Sequence, residues 1–334
     1  MKRAIVLTTI NEPIKAVIAL KEGATKHNLP FIVVGDTKTP NQTYQDFTYF
    51  YSIERQITEF PNLSAVLPTK HYSRKNIGYL VALKLGMDEI QETDDDNIPL
   101  PEFWKEIPSP LDVEVISAEE PWFNVYSAFS EQVIWPRGFP LEFLQVPNQT
   151  QIQPQQVKGL IVQDLADENP DVDAVYRLTR PLPFWFTARS PVMLKNGTWC
   201  PFNSQNTIFR KAVFPLLYLP SNCSFRMTDI WRSFIAQRCL WEIGEGIIFR
   251  QASVFQERNP HNLLKDFEDE VSGYLLNERI RQTLESVKID GKDLISSLIL
   301  CYEAMIKNDL IPEAEMPILR AWCNEIETIS TSLI

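Results

Sequence analysis

Three consecutive carboxylates, Asp94, Asp95 and Asp96, are the side chains in this sequence best suited to chemistry. They follow residues 87–91, a short apolar run that predicts a buried strand. Adjacent carboxylates repel one another, so a fold keeps them together mainly where a cation compensates. The carboxyl end of a strand in an open α/β sheet is also where ligands bind. We therefore expect Asp94 and Asp96 to bind Mg²⁺ or Mn²⁺, with a solvated acidic turn as the alternative.

Two basic residues come one helix earlier and suggest a phosphate contact. Residues 73–85 have helical spacing, Ser73 is a suitable N-cap and Gly86 a suitable C-terminal stop. Arg74 and Lys75 lie near the positive end of this helix, where they could face a diphosphate. A pair of surface charges is the alternative.

Polar residues elsewhere in the sequence add candidate ligand contacts. Asp36 closes a predicted strand and could accept a hydrogen bond from a base or ribose, or simply form a turn. Arg137 stands between prolines and aromatics in WPRGFPLE, as a phosphate or sugar contact or as a structural arginine. Asn203, in PFNSQNTIF, could bind a hydroxyl-rich ligand or form a turn.

Two further residues could take part in catalysis or metal binding. Asp229 is at the start of an amphipathic helix, where it is either an N-cap or a catalytic carboxylate. His261 is one of only 3 histidines, and it could contact a metal ion or a phosphate or have a structural role.

The elements that position these residues are predicted by hydrophobic periodicity. Residues 4–8 read as a buried strand, a helix follows to about His27, and residues 31–34 form a second strand. This β-α-β opening favours a mostly parallel, doubly wound sheet with its ligand at the strand ends, so Thr8 is expected at the nucleotide site. No glycine-rich GxGxxG or Walker loop follows the first strand, which argues against a classical NAD or P-loop site. From Val271 onward the pattern is helical, and we divide the chain into residues 1–270 and a helical extension, 271–334.

Charge, cysteine content and hydropathy exclude several classes of protein. The net charge of the 334 residues is −11, with no basic run, which argues against nucleic-acid binding. The 5 cysteines form no CxxC pair and indicate free thiols in a reducing compartment. The sequence has no run of about eighteen apolar residues, so it predicts no transmembrane segment. We therefore expect a cytoplasmic protein, and the helical extension could pack on its own domain or form a homo-oligomer.

Several motifs together carry a resemblance to a known family. YSRKNIGYLVALKLG, ETDDDN, WPRGFPLE, PDVDAVYRLTR and PFNSQNTIF, within about residues 3–265, resemble the STELLO glycosyltransferases. The order of an acidic triplet, an RGxP segment and the later MTDIWRSF is more distantly similar to the reversibly glycosylated polypeptides, which are UDP-arabinopyranose mutases.

Both families imply a GT-A fold, a Rossmann-like sheet whose DxD motif holds a divalent ion against a nucleotide-sugar diphosphate. The resemblance makes residues 94–96 that motif, places Arg74 and Asn76 at the donor site, and puts Asp229 where inverting enzymes often have a base. It implies a metal-dependent glycosyltransferase with a nucleotide-diphosphate sugar, a UDP-sugar being favoured, and an unidentified acceptor. A nucleotide-sugar mutase or nucleotidyltransferase, and a non-catalytic nucleotide-sugar-binding scaffold, are the alternatives.

Overall fold

One large sheet with helices on both faces positions the carboxyl ends of its strands around a common cavity. A computed structural model describes residues 1–258, 262–289 and 291–332. The strands are β1 Arg3–Thr9, β2 Phe31–Gly35, β3 Tyr49–Tyr51, β4 Glu89–Thr93, β5 Asn97–Pro99, β6 Leu111–Ala118, β7 Thr150–Val157, β8 Ile161–Asp167, β9 Val192–Leu194, β10 Asn206–Arg210 and β11 Ile247–Gln256. The α-helices are α1 Lys15–His27, α2 Ile53–Glu59, α3 Pro61–Val66, α4 Lys75–Lys84, α5 Ala174–Thr179, α6 Thr228–Glu242, α7 Leu263–Glu285, α8 Leu294–Lys307 and α9 Glu315–Ser332.

The sheet combines a parallel half with a mixed half. Its strand order is β3-β2-β1-β4-β10-β8-β11-β9-β6-β7, and β5 pairs with β11. The first four strands are parallel, β10 is antiparallel to both β4 and β8, and β8 and β11 are parallel again. Most strands therefore run in the direction of β1. The predicted α/β class with a mostly parallel, Rossmann-like sheet and C-terminal helices is confirmed, whereas the antiparallel β10 at its centre was not predicted.

Both faces of β1 are buried, because helices cover both faces of the parallel half of the sheet. Val6 packs in the same apolar cluster as Ile77 of α4, and Leu7 in the cluster that contains Val17 of α1. Gly78 lets α4 approach closely, because a Cβ atom at this position would lie 2.5 Å from Cγ1 of Val6. The β-α-β opening is thus a buried strand held between two helices.

Two predicted boundaries near the acidic triplet are wrong. The strand before the triplet is β4, Glu89–Thr93, so it starts two residues later than the apolar run suggested. Tyr72–Arg74 forms a 3-10 turn before α4, and the ring of His71 accepts the hydrogen bond from the Ser73 amide. Ser73 therefore does not cap α4; its hydroxyl instead bonds to His71 and Ser221.

The C-terminal helices share the main core. Apolar residues of α8 and α9, such as Leu298 and Trp322, belong to the same buried cluster as Leu80 of α4 and Phe234 of α6. The boundary predicted at 270/271 falls inside α7, and the division into two units stays a prediction. Of the helices within the described ranges, none combines the length and apolarity needed to cross a membrane. The predicted cytoplasmic location also stays a prediction.

A buried ion pair joins the central strand β4 to α6. Glu92 accepts hydrogen bonds from Nη1 of Arg232 at 2.9 Å and from Nη2 at 2.6 Å, and it also accepts from the hydroxyl of Tyr79. The side chains of Arg232 and Glu92 are 1% and 0% exposed. Burial disfavours the guanidinium charge, but the facing Glu92 outweighs it and raises the pKa of Arg232. Arg232 is therefore charged, and its contact with Glu92 holds α6 against the sheet.

Replacement of Arg232 by methionine should destabilise the protein by about 3–5 kcal/mol, because Glu92 would be left as an uncompensated buried charge. Urea unfolding of the Arg232→Met variant measures this loss. Lys105→Met is the matched control, since the exposed Lys105–Glu102 pair should contribute less than about 1 kcal/mol. Equal, small losses in both variants would contradict a structural role for the buried pair.

Candidate active site

A cavity of about 400 Å³ opens at the carboxyl ends of β1, β2 and β4. One half of its wall, which we call the β1–β2 half, consists of Thr8, Thr9, Ile10, Asn11, Asp36, Thr37, Lys38, Lys70, His71 and Tyr72. The opposite half, which we call the α6–β11 half, consists of Arg137, Asp171, Ser204, Gln205, Phe225, Arg226, Asp229, Gln256 and Arg258. The acidic triplet after β4 lines the cavity as well. The cavity thus lies at the strand ends, where the sequence predicts a ligand site.

Asp94 faces a lysine and a tyrosine from the start of α4. Its Oδ1 accepts a hydrogen bond from the hydroxyl of Tyr72 at 2.7 Å and lies 3.3 Å from Nζ of Lys75. Lys75 Nζ also donates to the carbonyl groups of Thr93 and Ser204. Burial raises the pKa of Asp94 to about 6, against the opposing effect of Lys75, and Asp96 raises it further.

The other two carboxylates of the triplet point to different strands. Oδ2 of Asp95 accepts from Oγ1 of Thr9 at 2.5 Å and from Nδ2 of Asn11 at 2.9 Å. Both carboxylate oxygens of Asp96 accept from Nε2 of Gln256, each at 3.0 Å. The triplet thus connects β4 with the end of β1 on one side and the end of β11 on the other.

The donor set of the cavity fits a divalent ion that is shared with a substrate. Within residues 1–258, 262–289 and 291–332, no group of three or more His, Cys, Asp or Glu side chains could hold a metal ion without further ligands. Mg²⁺ and related ions commonly bind through one or two carboxylates and complete their coordination with water and substrate phosphates. Asp94 and Asp96 supply oxygen ligands of this kind, and they influence each other's charge.

Arg137 joins two carboxylates in the α6–β11 half of the cavity. Its Nε and Nη2 lie 2.8 Å from the two oxygens of Asp171, and its Nη1 and Nη2 lie 3.0 and 2.9 Å from those of Asp229. Burial opposes ionisation of Asp229, but the Arg137 guanidinium prevails and holds the pKa of that carboxyl well below its usual range. Asp229 is therefore ionised, and its basicity is low.

A chain of hydrogen bonds connects Asp229 with Asp94. Oγ of Ser204 lies 3.2 Å from Oδ2 of Asp229 and 2.6 Å from the hydroxyl of Tyr72, which bonds to Asp94. The two halves of the cavity are thus joined by polar side chains as well as by the backbone.

The structure brings most of the predicted site residues together. The residues predicted from the sequence that line the cavity are Thr8, Asp36, Asp94, Asp95, Asp96, Arg137 and Asp229. The alternative role of Asp229 as an N-cap is not what the structure shows, because α6 has no side-chain cap and Asp229 lies in its first turn. His261 lies outside the described residues.

Four residues predicted to contact the ligand are not in the cavity wall, and one of them, Lys75, is buried and pairs with Asp94. Arg74 is buried, and its guanidinium donates to the side chain of Gln56 and the carbonyl of Leu67. Asn76 bonds through its side chain to the backbone of Leu219. Asn203 binds Asp171 at 2.8 Å and so positions a wall residue without itself reaching the cavity. The polar groups of these side chains form hydrogen bonds that connect buried segments of the chain.

Sequence reasoning missed Tyr72, Ser204, Gln256, Arg226 and Arg258 as wall residues. Gln256 ends β11 and Arg258 follows it, so the strand-end rule that identified the triplet could have found them had this strand been recognised. No local pattern marks Tyr72 or Ser204, since their role depends on a contact between distant segments.

Comparison of the sequence with known proteins shows similarity to the STELLO glycosyltransferases. A sequence model of the STELLO glycosyltransferases matches residues 226–333. The probable glycosyltransferase STELLO2 of Arabidopsis thaliana is 30% identical over 236 residues, which cover 64% of this chain and 30% of the relative. STELLO1 of the same plant is 29% identical over 236 residues with the same coverage. The resemblance to STELLO glycosyltransferases indicated by the motifs is confirmed.

The matched proteins are similar to this chain over different shares of their length. The chain spans about 30% of the length of the two plant relatives. Among solved structures, glucosyl-3-phosphoglycerate synthase of M. tuberculosis is similar with a TM-score of 0.42 and 10% sequence identity, over 84% of this chain and 80% of that chain.

Substitution of Arg137 by glutamine should destabilise the protein more at pH 8 than at pH 5. In the native protein Asp229 has a lowered pKa, so its ion pair contributes stability above the unfolded pKa of the carboxyl group. Without the guanidinium, burial would oppose ionisation of Asp229 uncompensated, so the cost of keeping this carboxyl group charged would grow as pH rises. Urea unfolding at the two pH values should differ by at least about 1.4 kcal/mol in the loss of stability.

Arg189→Gln is the control for this experiment, because the Arg189–Glu131 pair is exposed. It should change stability little at either pH. An Arg137→Gln loss that is the same at pH 5 and pH 8 would show that the arginine does not compensate the two carboxylates.

Proposed function

We propose that this chain is a divalent-metal-dependent glycosyltransferase domain that uses a nucleotide-diphosphate sugar. The observation that carries the proposal is the acidic triplet at the end of β4, which lines one cavity together with Arg137 and Asp229. The resemblance to STELLO glycosyltransferases supports the type of reaction. The order β3-β2-β1-β4 of parallel strands supports a nucleotide in the β1–β2 half, because such sheets bind nucleotides at their carboxyl edge.

Asp36 is the candidate contact for the nucleoside. It directly follows β2, and its two oxygens accept from the amides of Thr37 at 2.6 Å and His71 at 3.0 Å. These bonds orient the carboxylate and leave lone pairs for a ribose or base donor. Thr8, whose hydroxyl bonds to the carbonyl of Val34 at 2.9 Å, contributes to the same wall.

Asp94 and Asp96 are the candidate ligands of the divalent ion. When bound, the ion would neutralise charge that develops on the leaving diphosphate. Lys75 holds Asp94 from behind the wall, and Gln256 holds Asp96, so both carboxylates keep their orientation before the substrate enters. Such preorganised groups lower the barrier more than groups that must first be ordered.

Asp229 is the candidate partner of the acceptor hydroxyl. It is ionised and can accept a hydrogen bond from the incoming hydroxyl group. Because Arg137 lowers the basicity of Asp229, complete proton removal would require the Arg137–Asp229 contact to lengthen as the acceptor binds. The proposed role is therefore to orient the hydroxyl first and to take up its proton late in the reaction.

Calorimetric titration with UDP, GDP and their sugars, in Mn²⁺ and again in EDTA, tests the donor and the metal together. Binding that disappears on chelation supports the proposal, and the nucleotide that binds identifies the nucleobase of the donor. Turnover with candidate acceptors then separates the alternatives, since a mutase would give a sugar-nucleotide isomer without an acceptor and a scaffold would give no product. A folded sample that binds no nucleotide would refute the proposed function.

Asp96→Asn should weaken Mn²⁺-dependent nucleotide binding at least about tenfold, because a neutral amide is a poor ligand for a hard cation. The amide preserves the size of the side chain, so the fold should be kept. Asp46→Asn is the matched control, as Asp46 is exposed and outside the cavity wall. Unchanged binding in Asp96→Asn would exclude the assigned metal site.

Mn²⁺ affinity, measured with saturating nucleotide, should fall as the pH drops below about 6, since the Asp94 carboxyl then binds a proton with which the ion must compete. The decline should approach about tenfold per pH unit below that value and level off above it. Binding of Mn²⁺ to the nucleotide alone, measured without the protein, provides the reference curve. The same pH dependence with and without the protein would show that Asp94 is not a ligand.

A further inference from the structure

Two arginines line the α6–β11 half of the cavity, and the described residues accept hydrogen bonds from only some of their donors. Arg226 is in the 3-10 turn Phe225–Met227 before α6, and Arg258 follows β11 by two residues. Their side chains are 13% and 11% exposed. Both are wall residues, and the roles proposed above use neither.

Each of these guanidinium groups pairs with one acidic side chain through part of its donors. Arg226 donates from Nε and Nη2 to Oε1 of Glu270, at 3.0 and 2.8 Å. Arg258 donates from Nη2 to Oδ2 of Asp266 at 2.7 Å. A guanidinium has five N–H donors, so several donors of each group remain for a ligand.

The unused donors include a buried one. Among the described residues, Nε of Arg258 is buried and has no hydrogen-bond partner. A buried polar group without a partner costs about 1–3 kcal/mol. Within the described residues, part of the Arg258 guanidinium is thus left unpaired in the wall of the cavity.

A third arginine adds positive charge behind this part of the wall. Nε of Arg177 is also buried without a partner among the described residues. Burial and the repulsion from Arg258 lower the pKa of Arg177 to about 9, and burial and Arg226 lower that of Arg258. The nearby Asp171 and Asp229 do not relieve this repulsion fully, because both are bound by Arg137.

The N-terminus of α6 favours an anion at the same place. Arg226 lies two residues before this 15-residue helix, and Asp229 lies in its first turn. The partial positive charge of a helix N-terminus attracts anionic groups. Two incompletely paired arginines and a helix N-terminus therefore meet in one half of the cavity.

We propose that Arg226 and Arg258 form an oxyanion subsite that binds a phosphate or carboxylate group carried by the acceptor. The inference rests on the proposed function and adds to it that the acceptor is an anionic molecule. The subsite lies in the same half as Asp229, the candidate partner of the acceptor hydroxyl, whereas the nucleotide belongs to the β1–β2 half. The other source of such an oxyanion is the diphosphate of the donor, and the experiment distinguishes the two.

Calorimetric titration of the whole chain with inorganic phosphate, alone and after saturation with Mg²⁺ and UDP, tests the subsite. Phosphate should bind in both cases, with dissociation constants that agree within about threefold, because UDP and phosphate occupy different halves of the cavity. If UDP abolishes phosphate binding, the arginines bind the donor diphosphate and the inference falls. If UDP binds but phosphate does not bind at all, the inference falls while the proposed function stands. If no nucleotide binds, the proposed function itself fails.

A charge-balanced variant assigns the binding to Arg258. The double substitution Arg258→Gln with Asp266→Asn removes both charges of one ion pair, so that no uncompensated carboxylate remains. Phosphate affinity should fall at least about tenfold, as expected for loss of charge-assisted hydrogen bonds, while UDP affinity should change less than about twofold. Arg320→Gln with Glu303→Gln is the matched control, because that pair is exposed on α9 and α8.

The binding of UDP by the double variant also reports that it is folded. Unchanged phosphate affinity in this folded variant would overturn the inference. Loss of phosphate and UDP affinity together, in a variant with the unfolding midpoint of the wild type, would overturn it as well, since it would place the donor on these arginines.

Discussion

The geometry of the site depends on one buried ion pair, that between Glu92 and Arg232. Glu92 stands two residues before the acidic triplet, and Arg232 stands one helical turn after Asp229. The bidentate contact that fixes α6 to β4 therefore also fixes the separation between the triplet and Asp229. Both partners are inaccessible to water, so the pair has a single arrangement that solvent does not loosen.

Charge within the cavity is controlled by pairing each group with a partner of opposite sign. Lys75 supports Asp94 from the helix side, and Arg137 separates two carboxylates that would otherwise repel each other. These partners hold the side chains in fixed positions, but burial outweighs Lys75 and raises the pKa of Asp94, whereas Arg137 outweighs burial and holds the pKa of Asp229 well below its usual range. Two carboxylates in one cavity thus differ in protonation behaviour because their surroundings differ.

The sequence alone predicts the parts of the site that follow local rules. The triplet, Thr8 and Asp36 come at strand ends, and strand ends are visible in hydrophobic patterning. Arg74 and Asn76 follow the same helix-start rule as Lys75, but the 3-10 turn before α4 and contacts with Gln56 and Leu219 decide where their side chains lie. The antiparallel β10 and the Tyr72–Ser204 contact bring together segments distant in sequence, and no short window of sequence contains that information.

Residues that meet in the site are far apart in the sequence, and this affects how the protein folds. Tyr72 and Ser204 are 132 residues apart, Glu92 and Arg232 are 140 apart, and Arg137 and Asp229 are 92 apart. Contacts of this kind close large loops, and closing a loop costs conformational entropy. The chain must lose this entropy before the contacts can stabilise it. The β1–β2 half is built from residues 8–72, whereas the α6–β11 half brings together residues from 137 to 258. Half of the cavity can therefore form early in folding, but the complete site is among the last features to appear.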